Sequence, residues 1–252
     1  MLYFFEQEGE NLKRVDGRDK DQLRPVSIKL GYQAFAEGSA LIEMGNTRIL
    51  CAVSVEDRVP AFLKGEGTGW VTAEYAMLPR STLTRTPRSG FSDRIAGRSQ
   101  EIQRLIGRSL RAATDLAALG ERTFTVDCDV LQADGGTRTA AITGGYIALY
   151  HAMNTLKAKG IYHSIPLKCA VAATSVGIVD REELLDLCYK EDFAASVDFN
   201  VVMTDKGEFV EIQGTAEGKP FTKTSVNSLL IIAEKGINEL FAVQREVISG
   251  IH

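Results

Sequence analysis

The residues best suited to chemistry lie in one stretch, Gln132-Ala133-Asp134-Gly135-Gly136-Thr137-Arg138-Thr139. It follows alternating strand-like residues over 123–131 and opens an apolar-periodic run over 139–159, so it reads as a strand-to-helix junction. Two glycines there let the backbone turn sharply and approach a ligand. The first N–H groups of a helix lack internal partners and carry the positive end of its dipole. Phosphate is the natural occupant of such a place, and the Arg138 fork can grip two of its oxygens. The plainer reading is a turn with an arginine on its rim. The spacing and lysine of a Walker loop are absent.

A second candidate is Glu191-Asp192-Phe193-Ala194-Ala195-Ser196-Val197-Asp198. Asp198 starts an expected strand and Asp192 lies in the loop before it, so a turn back to the strand would bring two carboxylates together. Two hard oxygen ligands suit Mg²⁺, which keeps several waters and binds phosphates as well. The alternative is that both acids are solvated loop residues. Asp127 and Asp129 share one strand face and compete as metal ligands. His151, His163 and His252 show neither ligand spacing nor a nucleophile partner, so Ser/His/Asp and Cys/His catalysis have little support. Cys51, Cys128, Cys169 and Cys188 form no CxxC pair and sit in apolar, strand-like runs, which fits free thiols in a reducing compartment.

The elements that must position these groups follow from pattern. The chain has 252 residues, 44% hydrophobic and 25% charged, as in a globular protein with a sizeable core. Residues 11–25 read as a polar, extended arm with at most one helical turn. Strands are expected over residues 26–30, 40–44, 47–55 and 70–77, the middle two joined as a hairpin by Gly45-Asn46. Residues 79–99 are rich in Arg, Ser, Thr, Pro and Gly and read as a functional loop. A helix follows over 100–119, with Ile102, Leu105, Ile106, Leu110, Ala113, Leu116 and Ala117 on its apolar face. Gly144-Gly145 weakens the helix over 139–159 unless close packing offsets the loss. Further strands over 167–179, 183–189, 196–203 and 208–213 precede a closing helix over 225–248. The pattern is α+β, with mixed or antiparallel sheets backed by helices in one unit of two similar layers.

Net charge is −4, which alone argues against a nucleic-acid partner. Yet residues 80–111 hold eight Arg, no Lys and two acids, a local +6 that leaves −10 elsewhere. Such asymmetry points to a polyanion-binding surface. For Arg104, Arg108 and Arg111, RNA and acidic side chains of the protein are equal alternatives. The first residues lack a signal peptide's basic flank, and no run reaches membrane-spanning length, so the expected location is the cytoplasm, away from membranes. Taken together, an anion site, an Arg-rich loop and helix, and a carboxylate pair fit phosphoryl or nucleotidyl transfer on a nucleic acid.

Several longer motifs resemble the RNase PH family. They are Asp16-Gly17-Arg18, Gln22-Leu23-Arg24-Pro25, Ala36-Glu37-Gly38-Ser39, Gly45-Asn46-Thr47-Arg48 and Gly69-Trp70-Val71-Thr72-Ala73-Glu74-Tyr75. The runs 97–108, 127–139 and 213–218 continue the likeness, which spans about residues 14–244. It implies a single catalytic domain over 14–248 with the fold of the second domain of ribosomal protein S5, after an N-terminal extension, residues 1–13, of no assigned role. It implies a phosphate-dependent 3′-to-5′ exoribonuclease, or tRNA nucleotidyltransferase, that trims tRNA precursors and releases nucleoside 5′-diphosphates. A homohexameric ring, a trimer of dimers, is the implied assembly.

Carried over by motif, the family's phosphate contacts fall on Gly136, Thr137, Arg138 and Arg98. Its paired acids fall on Asp192 and Asp198, as Mg²⁺ ligands or as one ligand and one proton donor. Its tRNA-holding loop falls on Arg80, Arg85 and Arg88, and the variable residues 89–93 carry no inference. Two rivals share this surface: a non-catalytic RNA-binding ring subunit, and a hydrolytic nuclease in which water replaces phosphate.

Overall fold

The computed structural model describes residues 14–88 and 97–251. The extension 1–13 and the variable loop residues 89–93 lie outside the described residues. Two sheets and four helices make up the rest.

The first sheet has the order β1-β2-β3-β5-β4. Strand β1 (Val26–Leu30) and β4 (Trp70–Met77) span the residues expected from alternation. The hairpin of β2 (Gly38–Met44) and β3 (Thr47–Glu56) turns at Gly45, whose φ of 55° is open to glycine at little cost. Strand β5 (Thr123–Gln132) pairs antiparallel with β3 and parallel with β4. A parallel neighbour requires a crossover, and helix α1 (Gly97–Ala113) supplies it. The second sheet, β6 (Val171–Val179), β7 (Glu182–Leu185), β8 (Val197–Thr204) and β9 (Phe209–Ala216), is antiparallel in the order β7-β6-β8-β9.

Helix α2 (Thr137–Ala158) packs against both sheets. It buries residues around its whole circumference, as a helix in the middle of a core must. Gly144 explains how it comes so close: a Cβ there would sit 2.6 Å from Ile42 Cγ2. Packing on the first sheet therefore offsets the glycine's helix cost, as expected. Gly160 (φ 76°) follows the helix end in the left-handed conformation of a stop residue. Helix α4 (Lys223–Ser249) covers the second sheet, and Gln244 ties it to α2 and β6 by donating to the carbonyls of Thr143 and Val171. One hydrophobic core joins residues of both sheets.

Three expectations need correction. Helix α1 starts three residues earlier than residue 100 and ends at Ala113, not 119. Tertiary pairing stops it: Thr114 bridges to Leu167, the Asp115 N–H donates to the Pro166 carbonyl (3.0 Å), and the Lys168 N–H donates to the Ala113 carbonyl (2.8 Å). Residues 189–194, expected as strand end and loop, form a short helix, α3 (Tyr189–Ala194). The N-terminal arm, expected as a polar extended segment with at most one helical turn, has no helix over residues 14–25 and is docked on the body rather than solvated: Arg14 and Arg24 are buried. The arginines of α1 divide. Arg108 pairs with Glu211 (2.6 Å), and Arg111 lies 4.3 Å over the Trp70 ring while donating to the Val71 carbonyl (2.8 Å). Arg104 is exposed.

Candidate active site

Strand β5 delivers the chain to the glycine turn and α2 leaves it. Gly135 (φ 74°) and Gly136 (φ 63°, the N-cap of α2) are both left-handed. Two consecutive residues in that region would strain any L side chain. Space is also short: a Cβ on Gly135 would sit 2.4 Å from the Leu187 carbonyl oxygen and 2.7 Å from the Cys188 carbonyl carbon. The turn thus lies directly on the segment that leads into α3. The side chain of Asp134 ties the two by accepting from the Tyr189 N–H (3.2 Å). The Gly136 carbonyl accepts from the Ala140 N–H and the Thr139 hydroxyl, which starts the helix and leaves its first amides to the outside.

The carboxylate pair comes from two elements. Asp192 belongs to α3, and Asp198 is the second residue of β8, opposite Gly177 of β6 and Thr215 of β9. Asp192 is exposed, whereas Asp198 is partly buried and its Oδ1 atom is fully buried with no hydrogen-bond partner among the described residues. Burial first, then the negative charge of Asp192, pushes the Asp198 carboxyl up to about 6 against the pull of Arg138 and Arg98. Although the residue as a whole is exposed, partial removal of its carboxyl from water also raises Asp192, again opposed by Arg138 and Arg98. The two arginines therefore face both acids, although Arg98 starts α1 and Arg138 starts α2.

Arg138 is held from the second sheet, donating to Gln213 Oε1 at 3.5 Å. Gln213 lies two residues before Thr215 on β9, so it shares the sheet face of Asp198. The Tyr75 hydroxyl donates to Thr137 Oγ1 (2.9 Å). Burial raises the Tyr75 phenol, while Thr137, Arg98 and Arg138 counter it. Gly136, Thr137, Arg138, Arg98, Asp192 and Asp198 thus converge on one place.

Other sequence candidates lie elsewhere. Arg80, Arg85 and Arg88 are exposed on the connection after β4, and Arg80 donates to the Leu83 carbonyl (2.9 Å). They do not figure among the charges acting on Asp192 or Asp198. Asp127 and Asp129 line a cavity with Glu74 and Gln33. Burial raises both acids; Glu74 and Asp129 raise Asp127 further, with no cation opposing. Among the described residues no group of three or more His, Cys, Asp or Glu could hold a metal ion. Any cation at Asp192 and Asp198 would complete its shell with water or substrate oxygens. The orphaned Asp198 Oδ1 and the hard carboxylate donors fit Mg²⁺ on those terms. All four cysteines are free; Cys169, which is only half-buried, precedes β6 and Cys188 precedes α3, so neither lies in a strand. His151 Nδ1 accepts from the Ser39 N–H, a structural role.

Sequence reasoning assigned no role to Tyr75, Gln213, Arg24 or Asp186. Alternation along β4, which turns Val71, Ala73 and Tyr75 inward, carried a signal for Tyr75. Nothing local marked Asp186, whose side-chain partners lie more than 160 residues away.

Comparison with known proteins places the chain in one family. Residues 22–153 match the model of the 3′ exoribonuclease family, domain 1, and residues 169–236 match domain 2. A ribonuclease PH of Dehalococcoides mccartyi is 60% identical over 236 residues, 94% of this chain and 98% of the relative. One of Syntrophomonas wolfei is 56% identical over 237 residues, 94% and 99% of the two chains. Among solved structures, an Archaeoglobus fulgidus exosome with RNA bound to the active site superposes with a TM-score of 0.78 at 21% identity, covering 92% of each chain. An archaeal exosome core gives 0.75 at 22%, covering 92% of this chain and 91% of the other. These last two show a shared fold, the S5-domain-2-like architecture implied by the motifs.

Proposed function

The chain belongs to the 3′ exoribonuclease family as a ribonuclease PH-type member, and from that premise we propose how its residues divide the work. It is a phosphate-dependent 3′-to-5′ exoribonuclease, a nucleotidyltransferase that trims tRNA precursors. Inorganic phosphate attacks the last phosphodiester and a nucleoside 5′-diphosphate leaves. The observation that carries the assignment is the convergence of two arginines and a free helix N-terminus on two carboxylates, one of which has an unpartnered buried oxygen.

In this reading the amides at the start of α2, with Thr137 and Arg138, hold the attacking phosphate. Arg98 and Arg138 neutralise charge on the reacting oxygens. Thr137 is aligned by Tyr75, and Arg138 by Gln213. Asp192 and Asp198 would hold Mg²⁺ together, or Asp192 would hold it while Asp198 protonates the leaving 3′ oxygen. The high proton affinity of Asp198 favours the second assignment. When bound, the cation would offset negative charge that builds as the bond breaks.

Arg80, Arg85 and Arg88 act on the body of the tRNA rather than on the reacting bond, in keeping with their exposure and with Arg98 and Arg138 being the cations that act on the acids. Residues 14–248 act as one catalytic unit, since both halves supply site residues. A homohexamer, a trimer of dimers, is the proposed assembly. Residence in the cytoplasm is supported by four free thiols, and among the described residues no helix is long and apolar enough to cross a membrane.

Product analysis tests the reading. A tRNA precursor with extra 3′ nucleotides, incubated with and without phosphate, should yield nucleoside diphosphates only in its presence. Monophosphates formed without phosphate would mean hydrolysis, and no released nucleotide would mean a binding protein.

A further inference from the structure

The first arm of the chain reaches the phosphate turn through one residue of the second half. Arg24 and Asp186 are 4% and 0% exposed. Arg24 Nε and its backbone N–H donate to Asp186 Oδ2, both at 2.9 Å, and Nη2 donates to Oδ1 at 2.6 Å. The guanidinium then reaches past the aspartate. Nη1 donates to the Asp134 carbonyl at 2.5 Å, and Nη2 lies 3.5 Å from the Gly135 carbonyl. Thr47 reinforces the grip, its hydroxyl donating to the Gly135 carbonyl (2.7 Å) and accepting from the Asp134 N–H (3.0 Å).

A trans peptide points its N–H opposite its C=O. With the carbonyls of Asp134 and Gly135 turned toward Arg24 and Thr47, the amides of Gly135 and Gly136 must face the other way. Those amides precede the free N–H groups of α2 and extend the anion cradle. Asp186 itself is held from all sides. Its carbonyl accepts from Arg14 and Arg18 (3.0 Å each), and its N–H donates to the Ser175 carbonyl (2.7 Å). Its φ of 54° is a left-handed conformation for a non-glycine residue, which persists only where surroundings impose it. A buried ion pair is weak grounds for stability, because apolar side chains of similar volume commonly do as well. The pair is better explained by what it orients.

We propose that Asp186, acting through Arg24, is a positioning residue for inorganic phosphate: it fixes the guanidinium that turns the Asp134 and Gly135 carbonyls away from the anion and so aims the neighbouring amides at it. This rests on the phosphate-site reading above. Neither residue touches the substrate. Loss of the grip frees the two peptides to rotate, which weakens phosphate binding before it alters the bond-breaking step.

The test is steady-state phosphorolysis with phosphate varied, on the full chain and two variants. Asp186→Asn removes the anchoring charge. Arg24→Met/Asp186→Asn removes both charges of the pair, keeps at 186 a residue type that tolerates the left-handed backbone, and leaves Arg18 its Asp16 partner (2.7 Å), so it preserves the fold. Both should raise KM for phosphate by ~10-fold or more, in line with the effect of misplacing a binding group, while kcat at saturating phosphate stays within ~3-fold. The double variant should also keep the parent's melting temperature. A stable double variant with the parent's KM for phosphate would overturn the proposal. So would a loss of melting temperature and kcat together at constant KM, which is the mark of a purely structural brace. If instead the parent degrades RNA without phosphate, the phosphate-site reading fails first, and the two failures are told apart.

Discussion

Replacing Asp198 by Asn should stabilise the folded protein while removing its activity. The carboxyl is displaced from 3.8 to about 6, chiefly by burial and then by Asp192. At ~1.36 kcal/mol per pKa unit, holding it ionised in the fold costs up to about 3 kcal/mol at any pH well above both values. The direction follows from proton counting. Between pH 3.8 and about 6 the folded state binds more protons at this site than the unfolded chain does, so this residue's contribution to stability falls as pH rises through that window. Asn carries no charge to lose. Asp198→Asn should therefore exceed the parent by up to ~3 kcal/mol at pH 8, with the gap closing toward zero as pH approaches 4. The assay is urea unfolding at fixed protein concentration from pH 4 to pH 8, with EDTA and without phosphate, since bound cation or anion would shift the titration. Phosphorolysis by the variant should be lost in parallel. A variant less stable than the parent at pH 8, or a gap that does not change with pH, would refute the claim that Asp198 sits in an unfavourable site.

Other predictions follow from the same geometry. Gly135→Ala combines a positive φ with backbone atoms 2.4–2.9 Å from the new methyl, whereas at Gly136 the three nearest atoms all belong to side chains, the first an Arg24 guanidinium nitrogen at 3.0 Å. Thermal unfolding should show the first costing ~2–5 kcal/mol and the second ~1–2, and equal losses would contradict the close packing of the turn on residues 187–189. Arg138→Ala should lower kcat/KM for phosphate by ~30-fold or more, as expected for a charged contact worth at least ~2 kcal/mol, and normal turnover at low phosphate would refute its assignment. Arg80→Ala/Arg85→Ala/Arg88→Ala should weaken tRNA binding and reduce the salt slope by ~0.7–0.9 per lost phosphate contact, while a dinucleotide substrate is processed as before. Unchanged tRNA affinity at low salt would remove these arginines from the RNA path.

Much of the fold was legible because its period is strong. Strands β1 and β4 carry alternating residues bounded by Pro25, Gly31 and Gly69, and the Gly45 turn fixes the β2–β3 register. The helix α2 and its glycine entry were legible for the same reason. What failed did so where local pattern and tertiary contact disagree. Leu116 and Ala117 continue the period of α1, yet pairing of Thr114 with Leu167 ends the helix before them. Helix α3 has only six residues, too few to show a period, and it follows the run 184–188, apolar but for Asp186, that reads as strand. Asp192 and Asp198 were recognised as a pair, but their unequal burial depends on three-dimensional packing. The links from Arg14 and Arg24 to Glu191 and Asp186 were invisible, since a polar arm and a distant loop carry no mutual signature.

Those links span 177 and 162 residues of sequence. On a translating ribosome the arm emerges first, and at ~5–20 residues per second its acidic partners arrive roughly ten to thirty seconds later. Until then Arg14 and Arg24 remain hydrated, the glycine turn lacks its anchor, and neither carboxylate of the pair has been made. A nascent chain surrounded by ribosomal and transfer RNA thus holds no complete cutting centre until three-quarters of it exists, and the delay is written into the order of its residues.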